Sequence, residues 1–215
     1  MSERAADQSL FADNPPPVIP VLVIEDATFA VPLAQALVAG GLPLLEITLR
    51  SNAALEAIRR IAAEVPAAIV GAGTVLNPAQ FAAAQVNGAR FIVSPGATDS
   101  LYAAAKDTGL AFLPGVVTPS EIMRALDQGC TLAKFFPAEA NGGIAALKSL
   151  QGPFPQMRFC PTGGVNEQNV AAYRALPNVF TAGGSWMAPK EKIAAGDWAG
   201  IEALARRTVD LFKRT

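Results

Sequence analysis

The sequence predicts an α/β fold: a single (β/α)8 TIM barrel preceded by an N-terminal extension. Three observations carry that expectation. Short apolar runs rich in β-branched residues recur at about 18–24, 44–49, 67–72, 91–94, 111–114, 131–136, 158–162 and 179–182, with starts 20 to 27 residues apart. Alanine-rich stretches of helical periodicity lie between them. The chain has 215 residues, 51% of them hydrophobic and 16% charged, enough for one domain to bury its own core. Alternation at this spacing indicates parallel strands joined by right-handed crossovers, and eight such units can close on themselves. An open doubly wound sheet is the rival. It usually has fewer strands and a nucleotide fingerprint, and no GxGxxG follows the first strand here.

Taken in order, residues 1–10 are polar and alanine-rich, a mobile arm or a loose helix. Pro15-Pro16-Pro17 then stiffens the entry to the first strand. This gives an extension over 1–17 and a barrel domain over 18–215. Helices are predicted at 30–39, 53–64, 78–86 and 120–128. The last helix, 198–213, lines up Ile201, Leu204, Ala205, Thr208 and Leu211 along one face.

Composition narrows the chemistry. With 17 basic and 18 acidic residues the net charge is −1, which argues against a nucleic-acid partner. There is no histidine. That removes Ser-His-Asp and Cys-His triads, His-ligated metals and imidazole acid–base catalysis together. Cys130 and Cys160 form no CxxC pair and read as two buried, reduced thiols. No apolar run reaches the ~18 residues that suggest a membrane span, and Met1-Ser2-Glu3-Arg4 leads into no apolar signal core. The expectation is a soluble, cytoplasmic protein with no metal, no cofactor and no membrane partner. Lys, Glu, Asp, Arg, hydroxyls and backbone amides must supply any activity.

Period-2 alternation locates the polar wall. In Leu44-Leu45-Glu46-Ile47-Thr48-Leu49-Arg50, Leu45, Ile47 and Leu49 share one parity, while Leu44, Glu46, Thr48 and Arg50 share the other. The aliphatic parity should meet the helices, which points Glu46 into the lumen and sets Arg50 at the C-terminal rim. The sixth strand, Thr131-Leu132-Ala133-Lys134-Phe135-Phe136, likewise groups Leu132, Lys134 and Phe136. A lysine in mid-strand loses several kcal/mol of hydration unless it is paired or neutral. The bland reading is a snorkelling or structural lysine. The shared lumen with Glu46 and Arg50 favours a working one.

Glycines close the strands. Cys160-Pro161-Thr162-Gly163-Gly164 and Thr181-Ala182-Gly183-Gly184-Ser185 end strands seven and eight, where many barrels hold a phosphate on backbone amides. A lone Gly-Gly is more often a tight turn; two on adjacent strands are more specific. Gly71-Ala72-Gly73-Thr74 puts a hydroxyl at the rim of strand three, and Ser94-Pro95-Gly96 ends strand four. A phosphate pocket, a carboxylate, a guanidinium and a buried lysine suggest Schiff-base chemistry on a phosphorylated oxo acid. Lysine attacks a carbonyl only as the free amine, and burial favours the uncharged form of any amine. Without histidine, Glu46 is the natural proton shuttle.

At these residues the sequence resembles a known family. The segments 46–50, 71–75, 94–96, Lys134-Phe135-Phe136-Pro137-Ala138-Glu139, 161–165 and Gly183-Gly184-Ser185-Trp186 are together similar to the 2-dehydro-3-deoxy-phosphogluconate (KDPG) aldolases, over about residues 18–212. The resemblance implies a class I, metal-independent lyase, usually a homotrimer, that splits KDPG into pyruvate and glyceraldehyde 3-phosphate in the Entner–Doudoroff pathway. It also implies action on 4-hydroxy-2-oxoglutarate and weak oxaloacetate decarboxylation in many members. Lys134 then matches the Schiff-base lysine and Glu46 the general acid/base. Arg50 and Thr74 match groups near the substrate carboxylate, Pro95 and Phe136 pack about the pyruvyl moiety, and Thr162 stands near the substrate hydroxyls. Gly163, Gly164, Gly184 and Ser185 match the phosphate loops. The stretch through Pro17 is the least family-like part.

Three rivals stay open on the residues alone. An aldolase for the C4-epimeric galactonate substrate is disfavoured only by the hydroxyl of Thr162. A phosphate-binding isomerase barrel would not need the lysine. A catalytically dead barrel serving as sensor or scaffold gains little from a costly lumenal Lys134.

Overall fold

Parallel strands and helices alternate along residues 7–13 and 15–212, the parts that the computed structural model describes. The strands are β1 (Ile19–Leu22), β2 (Leu44–Thr48), β3 (Ile69–Gly73), β4 (Phe91–Val93), β5 (Ala111–Leu113), β6 (Gly115–Val116), β7 (Leu132–Phe135), β8 (Arg158–Pro161) and β9 (Gly183–Gly184). Every named pair is parallel. The order is β5-β4-β3-β2-β1-β9 in one group and β6-β7-β8 in the other. The result is a curled parallel sheet in an α/β fold.

Two strands differ from the sequence reading. The fifth is split into β5 and β6 by Pro114, which has no N–H for the ladder but whose carbonyl accepts from Lys134 N at 2.8 Å. The eighth was expected at 179–182, whereas the paired residues are Gly183 and Gly184, in register with Ile19 and Pro20. Val179 makes only an isolated bridge to Phe159. Glycine has no side chain for an apolar pattern to register, so the pattern stopped too early.

Helices α2 (Ala30–Ala39) and α4 (Pro78–Val86) have the expected limits. In α4, Pro78 opens the first turn and the Asn77 side chain accepts from Gln80 N. Helix α3 (Ala54–Glu64) starts one residue later than expected and ends as expected, and α6 (Pro119–Asp127) is shifted by a residue. A capping box of Thr118 and Glu121 fixes the start of α6. The intervals between strands also hold α5 (Asp99–Thr108), α7 (Gly143–Gln151) and α8 (Val170–Arg174), and α9 (Lys190–Ala194) follows β9. Helix α10 (Trp198–Asp210) ends before the expected 213, which lies outside the described residues.

The apolar interior divides in two. Leu45 and Ile47 pack outward into the large cluster shared with the helices, as their parity requires. Leu44 and Leu132 belong instead to an inner cluster with Phe91, Cys160 and Phe180. Ile19, Leu44, Phe91, Ala111 and Leu132 in that cluster are the first residues of their strands. Apolar packing therefore fills the N-terminal end of the inner face, and Val93 and Leu113 carry it to the far ends of β4 and β5. Glu46 and Lys134 stand above the first apolar layer on β2 and β7.

The segment before β1 plugs the apolar end. Of the expected arm, residues 1–6 lie outside the described residues, and α1 (Ser9–Ala12) follows. Its Phe11 is fully buried in the inner cluster, edge-on to Phe91 with ring centroids 5.6 Å apart. Gln8 behaves like an inserted peptide group. Its amide nitrogen donates to Phe112 O and Leu132 O at 3.0 and 2.7 Å, and its oxygen accepts from Thr131 N and Leu132 N, both at 2.9 Å. It thereby bridges β5 to β7.

Candidate active site

Strands β2 and β7 bring Glu46 and Lys134 together. Lys134 Nζ lies 3.1 Å from Glu46 Oε1, and the side chains are only 6% and 3% exposed. Two charges removed from water this fully are tolerated because each offsets the other. Passing one proton across this hydrogen bond converts ammonium and carboxylate into amine and acid without changing the net charge of the inner face. The Phe136 ring completes the wall, its centroid 5.1 Å from Lys134 Nζ. That is one nucleophile, one proton carrier and one apolar surface at a single point.

The floor opposite is shaped by Gly73, the last residue of β3. A Cβ there would lie 2.1 Å from Glu46 Oε1 and 2.6 Å from its Cγ, so only glycine leaves the carboxylate its place. Thr74 follows with φ +57, a left-handed conformation that costs a β-branched residue on the order of 1–3 kcal/mol. Such strain is characteristic of functional positions.

The other expected residues stand around this centre. Arg50 sits exposed just past β2, and its Nε donates to Thr48 Oγ1 at 3.3 Å. Glu46 is paired with Lys134, and Arg50 joins neither of them among the described residues. Pro95 follows β4 and presses on Gly115, the residue in register with Lys134. Thr162 is buried just past β8, and its hydroxyl donates to Cys160 O at 3.3 Å. Cys160 is the inner-face neighbour of Lys134 in register, and burial pushes its thiol up to about 12. It is therefore a packing group, not a second nucleophile.

A bridge between Thr162 and Gly183 sets the loops after β8 and β9 side by side. Three successive carbonyls in the first loop are held by the protein. Thr162 O accepts from Ala138 N at 2.8 Å, Gly163 O from Glu139 N at 3.1 Å, and Gly164 O from the carboxamides of Asn166 and Asn169 at 3.2 and 3.1 Å. In a trans peptide the N–H points opposite to the preceding C=O. The amides of Gly164 and Val165 accordingly face away, and among the described residues neither meets a protein acceptor, while that of Gly163 turns towards Gly183 at the bridge. Gly163 and Gly164, at φ +95 and +80, hold a backbone path that other residues resist. The Ser185 amide is likewise without a protein acceptor among the described residues, and Gly184, just before it, lies within β9 itself. Free amides in two adjacent loops suit an anion.

Sequence reasoning missed Gly73, Val165, Asn166 and Asn169. The Gly-x-Gly ending at residue 73 was a usable signal for the first; the amide of Val165 and the carboxamides depend on backbone direction, which side-chain patterns do not report. Among the described residues, no cluster of three or more Cys, Asp or Glu side chains is placed to hold a metal ion.

Known proteins resemble this chain in sequence and in fold. A family model described as KDPG and KHG aldolase matches residues 14–204. A 2-dehydro-3-deoxy-phosphogluconate aldolase of Pseudoalteromonas atlantica is 52% identical over 206 residues, 96% of this chain and 95% of that protein. Among solved structures, a KDPG aldolase from Legionella pneumophila, with pyruvate captured as a covalent carbinolamine intermediate, has a TM-score of 0.88 at 46% identity, covering 90% of this chain and 94% of its own. A 2-keto-3-deoxy-6-phosphogluconate aldolase of Zymomonas mobilis with 3-phosphoglycerate has a TM-score of 0.86 at 49% identity, with coverage of 90% and 91%.

Proposed function

This chain belongs to the KDPG and KHG aldolase family, and we propose that it is a class I aldolase that cleaves 2-dehydro-3-deoxy-6-phosphogluconate through an imine on Lys134. The observation that carries this reading is the buried contact between Lys134 and Glu46. The Lys134 amine adds to the C2 ketone, and water leaves with a proton from Glu46 to give a cationic imine. Glu46 then takes the proton of the C4 hydroxyl, the C3–C4 bond breaks, and its electron pair flows into the imine to form an enamine. Glyceraldehyde 3-phosphate departs as the aldehyde. Protonation of the enamine at C3 and hydrolysis of the imine release pyruvate and restore the amine.

The remaining residues take supporting roles in this proposal. Arg50 and Thr74 face the substrate carboxylate, Pro95 and Phe136 enclose the pyruvyl group, and Thr162 serves the sugar hydroxyls. Gly163, Gly164, Gly184 and Ser185 hold the phosphate. 4-Hydroxy-2-oxoglutarate shares the reacting 2-oxo-4-hydroxy acid core without the phosphate, which makes it a second substrate. We also propose that the sheet closes as a (β/α)8 barrel, with residues 1–17 as an N-terminal extension and 18–215 as the barrel domain. The bridges from β8 to Val179 and Gly183, the β1–β9 pairing and the Gln8 contacts support it. A homotrimer in the cytoplasm completes the reading, with two buried free thiols suited to a reducing compartment.

Borohydride reduction in the presence of pyruvate tests the mechanism. A reduced pyruvyl adduct on the peptide carrying Lys134, absent from Lys134→Ala, is expected. Label on Lys106 or Lys148, or no label, overturns it.

A further inference from the structure

The three peptides after β8 whose carbonyls the protein holds are not all held in the same way. Backbone amides of residues 138 and 139 fix the first two, while two side chains fix the third. Asn166 and Asn169 both aim their carboxamide N–H groups at Gly164 O, and nothing else among the described residues bonds that oxygen. The two asparagines also lock each other, since Asn166 N donates to Asn169 Oδ1 at 2.8 Å and Asn169 N to Asn166 Oδ1 at 3.2 Å. Gly164 has little intrinsic preference for one peptide orientation over its flip. Flipping the 164–165 peptide would withdraw the Val165 N–H and present a carbonyl oxygen to the anion instead.

Building on the phosphate assignment above, we propose that Asn166 and Asn169 are positioning residues that set the enzyme's preference for phosphorylated substrates. They act through the Gly164 carbonyl and hold the Val165 amide on the phosphate. Their effect belongs to the remote phosphate and not to the breaking bond, so it appears in KM and kcat/KM for phosphorylated compounds.

The test runs the reaction in the synthetic direction, with pyruvate and either glyceraldehyde 3-phosphate or glyceraldehyde, acceptors that differ only in the phosphate. The double variant Asn166→Ser, Asn169→Ser keeps short hydroxyl acceptors for the turn and removes both carboxamide donors. With glyceraldehyde 3-phosphate, kcat/KM is expected to fall about 10- to 150-fold, the scale of a hydrogen bond to a charged group, mostly through KM. With glyceraldehyde it should change less than about twofold, on the ±0.5 kcal/mol scale of a neutral substitution. Should the double variant fail to fold, Asn166→Ser and Asn169→Ser alone each lower the preference for the phosphorylated acceptor by a smaller factor. An unchanged preference in variants that melt like the parent, or equal losses with both acceptors, overturns the proposal. Failure of the underlying reading looks different: the unaltered protein would itself show no preference for the phosphorylated acceptor, or no trapping at Lys134.

Discussion

Glu46 occupies the volume that a side chain at position 73 would need, with Glu46 Oε1 2.1 Å from the place of a Cβ on Gly73. The carboxylate is thus held between a lysine on one side and bare backbone on the other. Gly73→Ala displaces it without altering its chemistry. A misplacement of about 1 Å in a catalytic group costs on the order of 10²-fold in rate, and overpacking about 1–3 kcal/mol in stability. Steady-state kinetics beside a thermal melt checks both. Wild-type kcat in a folded variant would mean that Glu46 can work from elsewhere.

Glu46→Gln keeps the shape and removes the proton carrier. kcat should fall by about 10²–10⁴-fold. The glutamine also leaves Lys134 without its charged partner, and breaking a buried pair costs about 3–5 kcal/mol. If kcat holds and only KM rises, Glu46 is a binding group and another base carries the proton.

Ser185→Ala removes one hydroxyl from the proposed phosphate site and leaves the free amides in place. For KDPG, kcat/KM should drop about 10- to 150-fold, while cleavage of 4-hydroxy-2-oxoglutarate stays near that of the parent. Equal losses on both substrates, in a variant with unchanged Tm, would remove the phosphate role and leave Lys134 and Glu46 standing.

Alkaline pH should loosen the fold through its thiols. Burial raises Cys130 to about 11 and Cys160 to about 12, from 9.0. The folded protein therefore keeps protons that the unfolded chain releases above pH 9. This contribution to stability is complete below pH 9 and is lost as pH climbs through 11 and 12. At pH 8 iodoacetamide should label neither cysteine in the native protein and both in urea. Rapid native labelling of Cys160 would contradict its burial.

Much of the centre was legible because alternation is a local property. The parity of Leu44, Glu46 and Thr48 and of Leu132 and Lys134 is enough to place a carboxylate and a lysine on one inner face, where the structure brings them to 3.1 Å. The limits of α2 and α4 were legible for the same reason. Arg50 was expected on the same wall and does stand at its rim, but its bond goes to Thr48 and not to Glu46. Parity says which face a side chain takes, not which neighbour it meets. The paired part of the last strand was hidden because Gly183 and Gly184 carry no side-chain signal. Gln8 was hidden because its four partners are backbone groups, to which residue patterns are blind.

Gln8 contacts Phe112 and Leu132 across 104 and 124 positions of sequence. At about 5–20 residues per second, a growing chain makes Leu132 roughly 6 to 25 seconds after Gln8. Through that interval Phe11 has no inner cluster to enter, and β5 has no neighbour on its far side. Nascent chains are therefore exposed to wrong pairing at this seam, and a chaperone that shelters residues 8–12 would protect the sheet. Gln8 and Phe11 are made long before the strands on which they dock.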